Sequence, residues 1–261
     1  MSRWMAQDGS LINYELYGTG NGSDTVLLLH GLLGSMRSHW SKFVTPLSAN
    51  FQVLQVDLRG HGESENVAMT LDLDMMLQDI EGLLNSLQIE SVHAAGYDFG
   101  GYLGLMLHLD QPESVKSLMM HSTKFYWPDY TINRMLKNLN PDLMSEKVPG
   151  YAGQLLTEHG AGRWRSLVRQ AGDLIANISS SKMTESMARQ ASCPVLVSVG
   201  DRDEMIPVEE ALRLSCLMQN GALLVLPGVS HSFHVTSTQA LLGPMMAFLN
   251  LNGTPWLSRP S

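Results

Sequence analysis

Residues 96–101, Gly96-Tyr97-Asp98-Phe99-Gly100-Gly101 (GYDFGG), join the apolar run SVHAA (91–95) to a stretch of helical period, YLGLMLHLDQP (102–112). Glycines two residues before and two after Asp98 permit a sharp strand-to-helix turn, which lifts the middle side chain over the end of a sheet. Such a turn commonly presents a serine; here it presents a carboxylate. The other role for an aspartate at this place is a helix N-cap, which accepts from backbone N–H groups but needs no glycine on either side.

Working outward, short apolar runs alternate with helical periods. TVLLLH (25–30) precedes SHWSKFVTPLSA (38–49), and FQVLQVDL (51–58) precedes LDLDMMLQDIEGLLNSLQI (71–89). Beyond the GYDFGG turn come SLMMHS (117–122), then PVLVSVG (194–200) before VEEALRLSCLM (208–218), then ALLVLPG (222–228) before TQALLGPMMAFLNL (238–251). This alternation predicts an α/β fold: a doubly wound, mostly parallel sheet with right-handed crossovers and helices on both faces. RWMAQDGSLINYELYG (3–18) alternates with period two around Asp8-Gly9 and predicts a β-hairpin at an antiparallel edge. Residues 125–190 carry no strand pattern, only helical pieces punctuated by Pro128, Pro141 and Pro149. They are expected to form a helical lid inserted into a core made of residues 1–124 and 191–261.

The composition narrows the function. At 261 residues, 44% hydrophobic and 16% charged, the chain can bury a full core, and its 17 methionines suit irregular apolar space. A formal net charge of −8 offers no basic face, so nucleic acid is excluded as an expected partner. The two cysteines, Cys193 and Cys216, fit no zinc or CxxC spacing, and no apolar run is long enough to span a bilayer. The N-terminal stretch lacks the apolar segment of a secretory signal, so the expectation is a cytoplasmic protein without a structural disulfide or a membrane association.

Ligands of open α/β sheets bind beyond the carboxyl ends of the strands. Three more such loops carry polar residues: His30-Gly31-Leu32-Leu33-Gly34-Ser35, whose Leu32 N–H can face a developing anion; Gly200-Asp201-Arg202-Asp203-Glu204; and Pro227-Gly228-Val229-Ser230-His231. With Asp98 they give the chain order nucleophile, acid, base.

HGLLGS, DLRGHGES, GYDFGG, GDRDEMIP and LPGVSH together resemble the α/β-hydrolase superfamily over nearly the whole chain outside the lid. The resemblance implies Asp98 as nucleophile, Asp203 as acid and His231 as base, with the N–H groups of Leu32 and Phe99 as the oxyanion hole. Asp201 and then Glu204 are the alternative acids, and His234 is the alternative base. His30 and Gly31 of the first loop, with Tyr126, Trp127, Tyr130 and Tyr151 of the lid, are the expected substrate contacts. Arg59, His61, His93 and His121 read as structural. The His231/His234 pair lacks the further ligands that a metal site needs, so no metal and no cofactor is expected.

An aspartate with an ordinary pKa near ~3.9 is ionised at neutral pH and needs no base to attack. It suits displacement at an sp³ carbon, giving an alkyl-enzyme ester that histidine-activated water then opens. In this it is similar to the epoxide hydrolases and the haloalkane and haloacetate dehalogenases. The resemblance to epoxide hydrolases assigns leaving-group assistance to lid tyrosines, here Tyr126, Tyr130 and Tyr151, and implies a small, largely apolar substrate. The haloalkane enzymes place an indole N–H directly after the nucleophile, where this chain has Phe99, leaving Trp127 or Trp164 to compensate. The haloacetate enzymes place arginines where this chain has Phe99 and Tyr102. HGLLGS itself looks more like the loop of serine esterases, so an esterase scaffold with aspartate in place of serine stands as the other reading.

Overall fold

The computed structural model describes residues 2–18, 24–178, 183–233 and 235–250. Its centre is an eight-stranded sheet of β1 (Ser2–Met5), β2 (Leu11–Tyr17), β3 (Thr25–Leu29), β4 (Gln52–Val56), β5 (Val92–Tyr97), β6 (Val115–His121), β7 (Val195–Arg202) and β8 (Gly221–Ser230). The spatial order is β1-β2-β4-β3-β5-β6-β7-β8. From β4 to β8 neighbouring strands are parallel, while β1 and β2 form an antiparallel edge. The hairpin turns at Gly9, where φ is 87° and the Asp8 carboxylate accepts the Ser10 N–H at 3.0 Å.

Side-chain alternation divides the interior in two. Leu27, Leu29, Leu54, Val56, Ala94 and Leu118 pack under α2 (Leu73–Ser86), α3 (Phe99–Asp110) and α9 (Val208–Leu217). Val26, Leu28, Val53, Ala95 and Met119 face α1 (Met36–Ser48) and α10 (Val235–Asn250) on the other side. Both faces are covered, which is why β3 and β5 are apolar runs rather than alternating ones.

Between β6 and β7 the regular elements among the described residues are all helices: α4 (Asp129–Asn138), α5 (Pro141–Lys147), α6 (Pro149–His159), α7 (Trp164–Asn177) and α8 (Glu185–Ala188). Pro141 and Pro149 occupy first-turn positions, where a missing N–H costs no hydrogen bond. The apolar stripe of α7, Trp164, Leu167, Val168, Ala171, Leu174 and Ile175, joins the interior on the α2/α3 side.

The loop after β4 is held by buried charge. Asp57 accepts from the N–H groups of Met36 and Glu63 and from Asn13 Nδ2, each at 2.9 Å. Arg59 grips Asp79 of α2 through two nitrogens at 2.8 and 2.7 Å and reaches Asp8 at 2.5 Å, tying the hairpin to α2. Replacing Arg59 by methionine strands two carboxylates, one of them buried. It is expected to cost about 3–5 kcal/mol, as for other buried pairs with one partner removed. In a chain of this size that is a fall in melting temperature on the order of 10 °C, read by calorimetry.

The strand pattern places loops after Val199 and Leu226, but pairing continues further, with a register shift, to Arg202↔Ser230. The Gly228 N–H, donating to Asp201 Oδ1 at 2.6 Å, bridges the irregular stretch. This register has a direct effect on the site: the residues that follow the last paired positions are Asp203 and His231.

Candidate active site

Asp98 sits at φ 50° and ψ −116°, a conformation that side chains rarely adopt and that the surroundings must impose. The flanking glycines show why it is imposed. A Cβ on Gly96 would enter the Gly100–Gly101 backbone, and one on Gly100 would strike the carbonyls of Leu29 and His30. The start of α3 is thus jammed against β3 and β5, and the Asp98 N–H is fixed on His121 O at 2.9 Å.

The half-buried Asp98 side chain does not cap α3. Its Oδ2 instead accepts the Leu32 N–H at 3.1 Å, across 66 residues of chain. Burial pushes the carboxyl pKa up, opposed by the charge of His231 and by the N–H groups of Phe99 and Leu32. Gly31 packs closely on the same side chain: a Cβ there would stand 3.0 Å from both Asp98 Cβ and Oδ2 and would require one of them to shift.

His231 Nδ1 lies 3.1 Å from both oxygens of Asp203, whose side chain is fully buried. Asp203 Oδ1 also accepts the N–H groups of Met205 and Ile206 at 2.9 and 2.8 Å. Burial works against its charge, but the His231 contact and these donors hold its carboxyl below the usual range. Burial likewise disfavours protonated His231, yet Asp203 and the Asp98 charge outweigh it and raise the imidazole pKa. The Tyr97 hydroxyl donates to His231 O at 2.8 Å and anchors this loop. Of the alternative acids, Asp201 is occupied with Gly228 N–H, and Glu204 accepts the His231 backbone N–H at 3.3 Å. His234 lies outside the described residues.

The expected substrate contacts separate. His30 is fully buried beneath its loop, with Nδ1 2.8 Å from Gly31 O and Nε2 accepting the Leu58 N–H at 2.9 Å. Burial takes its pKa down to about 3, so it is a neutral strut rather than a substrate contact. Tyr126 is turned to α8, its hydroxyl donating to Glu185 at 2.9 Å and its ring 4.4 Å beneath the Arg213 guanidinium. With Trp127 and Tyr130, the latter 73% exposed, it lines a groove against Pro207 and Glu210 that includes none of Asp98, Asp203 and His231. The helical pattern places all four aromatics in one segment; the stretch entering α4 lies against Pro207 and the start of α9, and three of the four line that groove instead. Tyr151 on α6 is different: it is 40% exposed, and burial together with the Asp98 charge pushes its hydroxyl pKa up to about 12. A second cavity, lined by Leu73, Leu77, Tyr102, Met106, Leu174 and Met187, also excludes the triad.

Two neighbours carry no motif. His39 of α1 accepts the Gly31 N–H on Nδ1 at 3.2 Å and meets the Tyr97 ring edge-on at 4.7 Å. Burial and the nearby His231 charge lower its pKa to about 3. Phe233 packs against Tyr97 with the ring centroids 4.6 Å apart and the planes tilted by 43°. Neither had a sequence signal beyond nearness to a loop residue. Among the described residues no group of three potential ligands could hold a metal, and no helix is long and apolar enough to cross a membrane.

A RutD protein of Caulobacter sp. (strain K31), named for carbamate hydrolysis, is 28% identical, the match covering 91% of this chain and 95% of the relative. The 2-hydroxy-6-oxononadienedioate/2-hydroxy-6-oxononatrienedioate hydrolase of Burkholderia vietnamiensis is 25% identical over 87% of each chain. The crystal structure of the enol-lactonase from Burkholderia xenovorans LB400 superposes with a TM-score of 0.75 at 19% identity, covering 95% of this chain and all of that one. None of the three is named an epoxide hydrolase or a dehalogenase, so the relatives support the superfamily and not that branch of it. Residues 24–156 match the family described as alpha/beta hydrolase fold, and with more than half of its length inside that match the chain belongs to this family of hydrolases.

Proposed function

We propose that this hydrolase works through Asp98 as an oxygen nucleophile that attacks a substrate carbon, forming and then hydrolysing an alkyl-enzyme ester. The observation that carries the reading is the hydrogen bond from Leu32 N–H to Asp98 Oδ2. The anion-binding donors hold the carboxylate itself, so one oxygen is fixed and Oδ1 is left to attack. Oδ1 forms a bond to an sp³ carbon as the bond to the leaving group breaks. The ester carbonyl oxygen, Oδ2, then already sits where the next negative charge develops.

His231, held by Asp203, takes a proton from water, which adds to Asp98 Cγ. The resulting oxyanion is held by the N–H groups of Leu32 and Phe99; as it collapses the Cγ–Oδ1 bond breaks, the departing alkoxide takes the proton from His231, and Asp98 loses the remaining water proton to return to the carboxylate. An epoxide is the substrate class this reading favours: Tyr151 is a tyrosine of the insert whose hydroxyl feels the Asp98 charge, and a hydroxyl donor suits an alkoxide leaving group. Phe99 offers no side-chain donor for a halide.

The product therefore receives Oδ1, and water oxygen stays in the enzyme. A single turnover of styrene oxide in ¹⁸O-water should place the label in Asp98 and leave the diol free of it; label in the first-turnover diol would exclude this route.

The pH profile follows from the charges. His231 must be neutral to act as base, so kcat rises with pH through its pKa. In the free enzyme that pKa lies above the ordinary 6.5. In the ester Asp98 has no charge, so the acid limb of kcat should fall at lower pH than the NMR titration of His231 in free enzyme. The same raised pKa stabilises the fold fully below pH about 6.5, a contribution lost as pH rises through the folded value.

The names of the relatives favour a second reading, in which the Asp98 site takes a carbonyl compound and Asp98 limits the reaction on it. It would show as acyl rather than alkyl adducts, or as ester hydrolysis that appears only in Asp98→Ser.

A further inference from the structure

His159, the last residue of α6, is fully buried and makes two contacts with distant core loops. Its Nδ1 accepts the Gly62 N–H at 2.9 Å, and its Nε2 lies 2.9 Å from Leu33 O, 126 residues away. An acceptor at Nδ1 and a donor at Nε2 require the neutral ring with its proton on Nε2.

The peptide it holds is an unusual one. Gly34 N–H donates to Gly31 O at 3.1 Å, closing a turn over residues 31–34. Leu33 fills the third position of that turn at φ 61°, the sign for which a type II turn favours glycine. Leu33 C=O and Gly34 N–H belong to one peptide plane, so that plane is tied at one end to the turn and at the other to His159. Leu32, whose N–H meets Asp98, is the residue between. A leucine in this conformation persists where its surroundings hold it; His30 and His39 hold the turn at Gly31, and the insert between β6 and β7 holds it at Leu33 O.

We propose that His159 is a positioning residue by which the helical insert fixes the Leu32 N–H on Asp98. Arg163 provides the comparison within the molecule. It donates to Ser64 O at 2.7 Å and Gly62 O at 2.6 Å, fastening the same insert to the core without touching the 31–34 turn. The effect of His159 on catalysis rests on the function proposed above; its effect on the turn does not.

The test is hydrogen–deuterium exchange on wild type, His159→Asn, His159→Ala and Arg163→Met, followed by kinetics. Asparagine keeps an acceptor for Gly62 and loses the reach to Leu33, which guards against a variant that fails to fold. In both His159 variants the peptide covering residues 31–34 should exchange about tenfold faster or more, with β5 and α3 unchanged; Arg163→Met should speed only residues 60–66. With substrate, His159→Asn should lower kcat and accumulate the alkyl-enzyme, whereas Arg163→Met should act on KM. Wild-type protection of the turn in folded His159→Asn overturns the proposal. A loosened turn in a protein that never alkylates Asp98 upholds the positioning role and removes the nucleophile reading instead.

Discussion

Asp98→Asn should lose kcat by roughly 10⁴ or more, the scale seen when a nucleophile is removed from a preorganised site, while the protein stays folded. The amide has the size of the carboxylate, and its oxygen still accepts the Leu32 N–H. What is lost is the charge and the attacking oxygen. Because burial already works against the ionised side chain, neutralising it should leave the melting temperature unchanged or slightly higher. Activity and thermal midpoint measured together separate this from collapse of the elbow. Full turnover by a folded variant, with the amide verified by peptide mass, would end the nucleophile assignment.

His231→Gln should divide the reaction in two. Attack by an ionised carboxylate needs no base, so alkylation proceeds, but no group remains to activate water. The expected result is one alkyl group per chain on Asp98, seen by intact mass and peptide mapping, with steady-state turnover reduced roughly 10²–10⁴-fold. The mass increment names the chemistry. An epoxide adds its whole mass, a haloalkane adds its mass less the hydrogen halide, and an activated ester leaves its acyl part. An acyl increment would favour the carbonyl reading that the relatives support. An unmodified Asp98 under every condition, with wild type inert to the same compounds, would leave the Asp98 site with a binding role.

The elbow could be read in the sequence because its requirement is local. Gly96 is needed because a Cβ there would enter the backbone of the same turn, and Gly100 because the turn runs beside the end of β3, the neighbour of β5 in the parallel sheet, whose Leu29 and His30 carbonyls a Cβ would strike. The strand-helix alternation and the order Asp98, Asp203, His231 were legible for a similar reason, since crossover connections leave few ways to wind a parallel sheet. The edge hairpin also follows from residues that are neighbours in the chain.

The remaining assignments depended on contacts between distant segments. Sequence allowed Asp98 to be either a cap or a projecting carboxylate; Leu32, arriving from the other side of the elbow, decides it. It allowed Asp201, Asp203 or Glu204 as the partner of His231, and the extended pairing of β7 with β8 selects Asp203 by ending at Arg202↔Ser230. The tyrosines of the insert were equal as letters. Helix packing sends Tyr126 to Glu185 and Tyr130 to solvent, and leaves Tyr151 within reach of the Asp98 charge. His39 and His159 had no motif because each acts through backbone groups elsewhere in the chain. Backbone conformation is set by short-range sterics and can be read from adjacent residues, whereas the partner of a side chain is set by packing, and only the folded molecule supplies it.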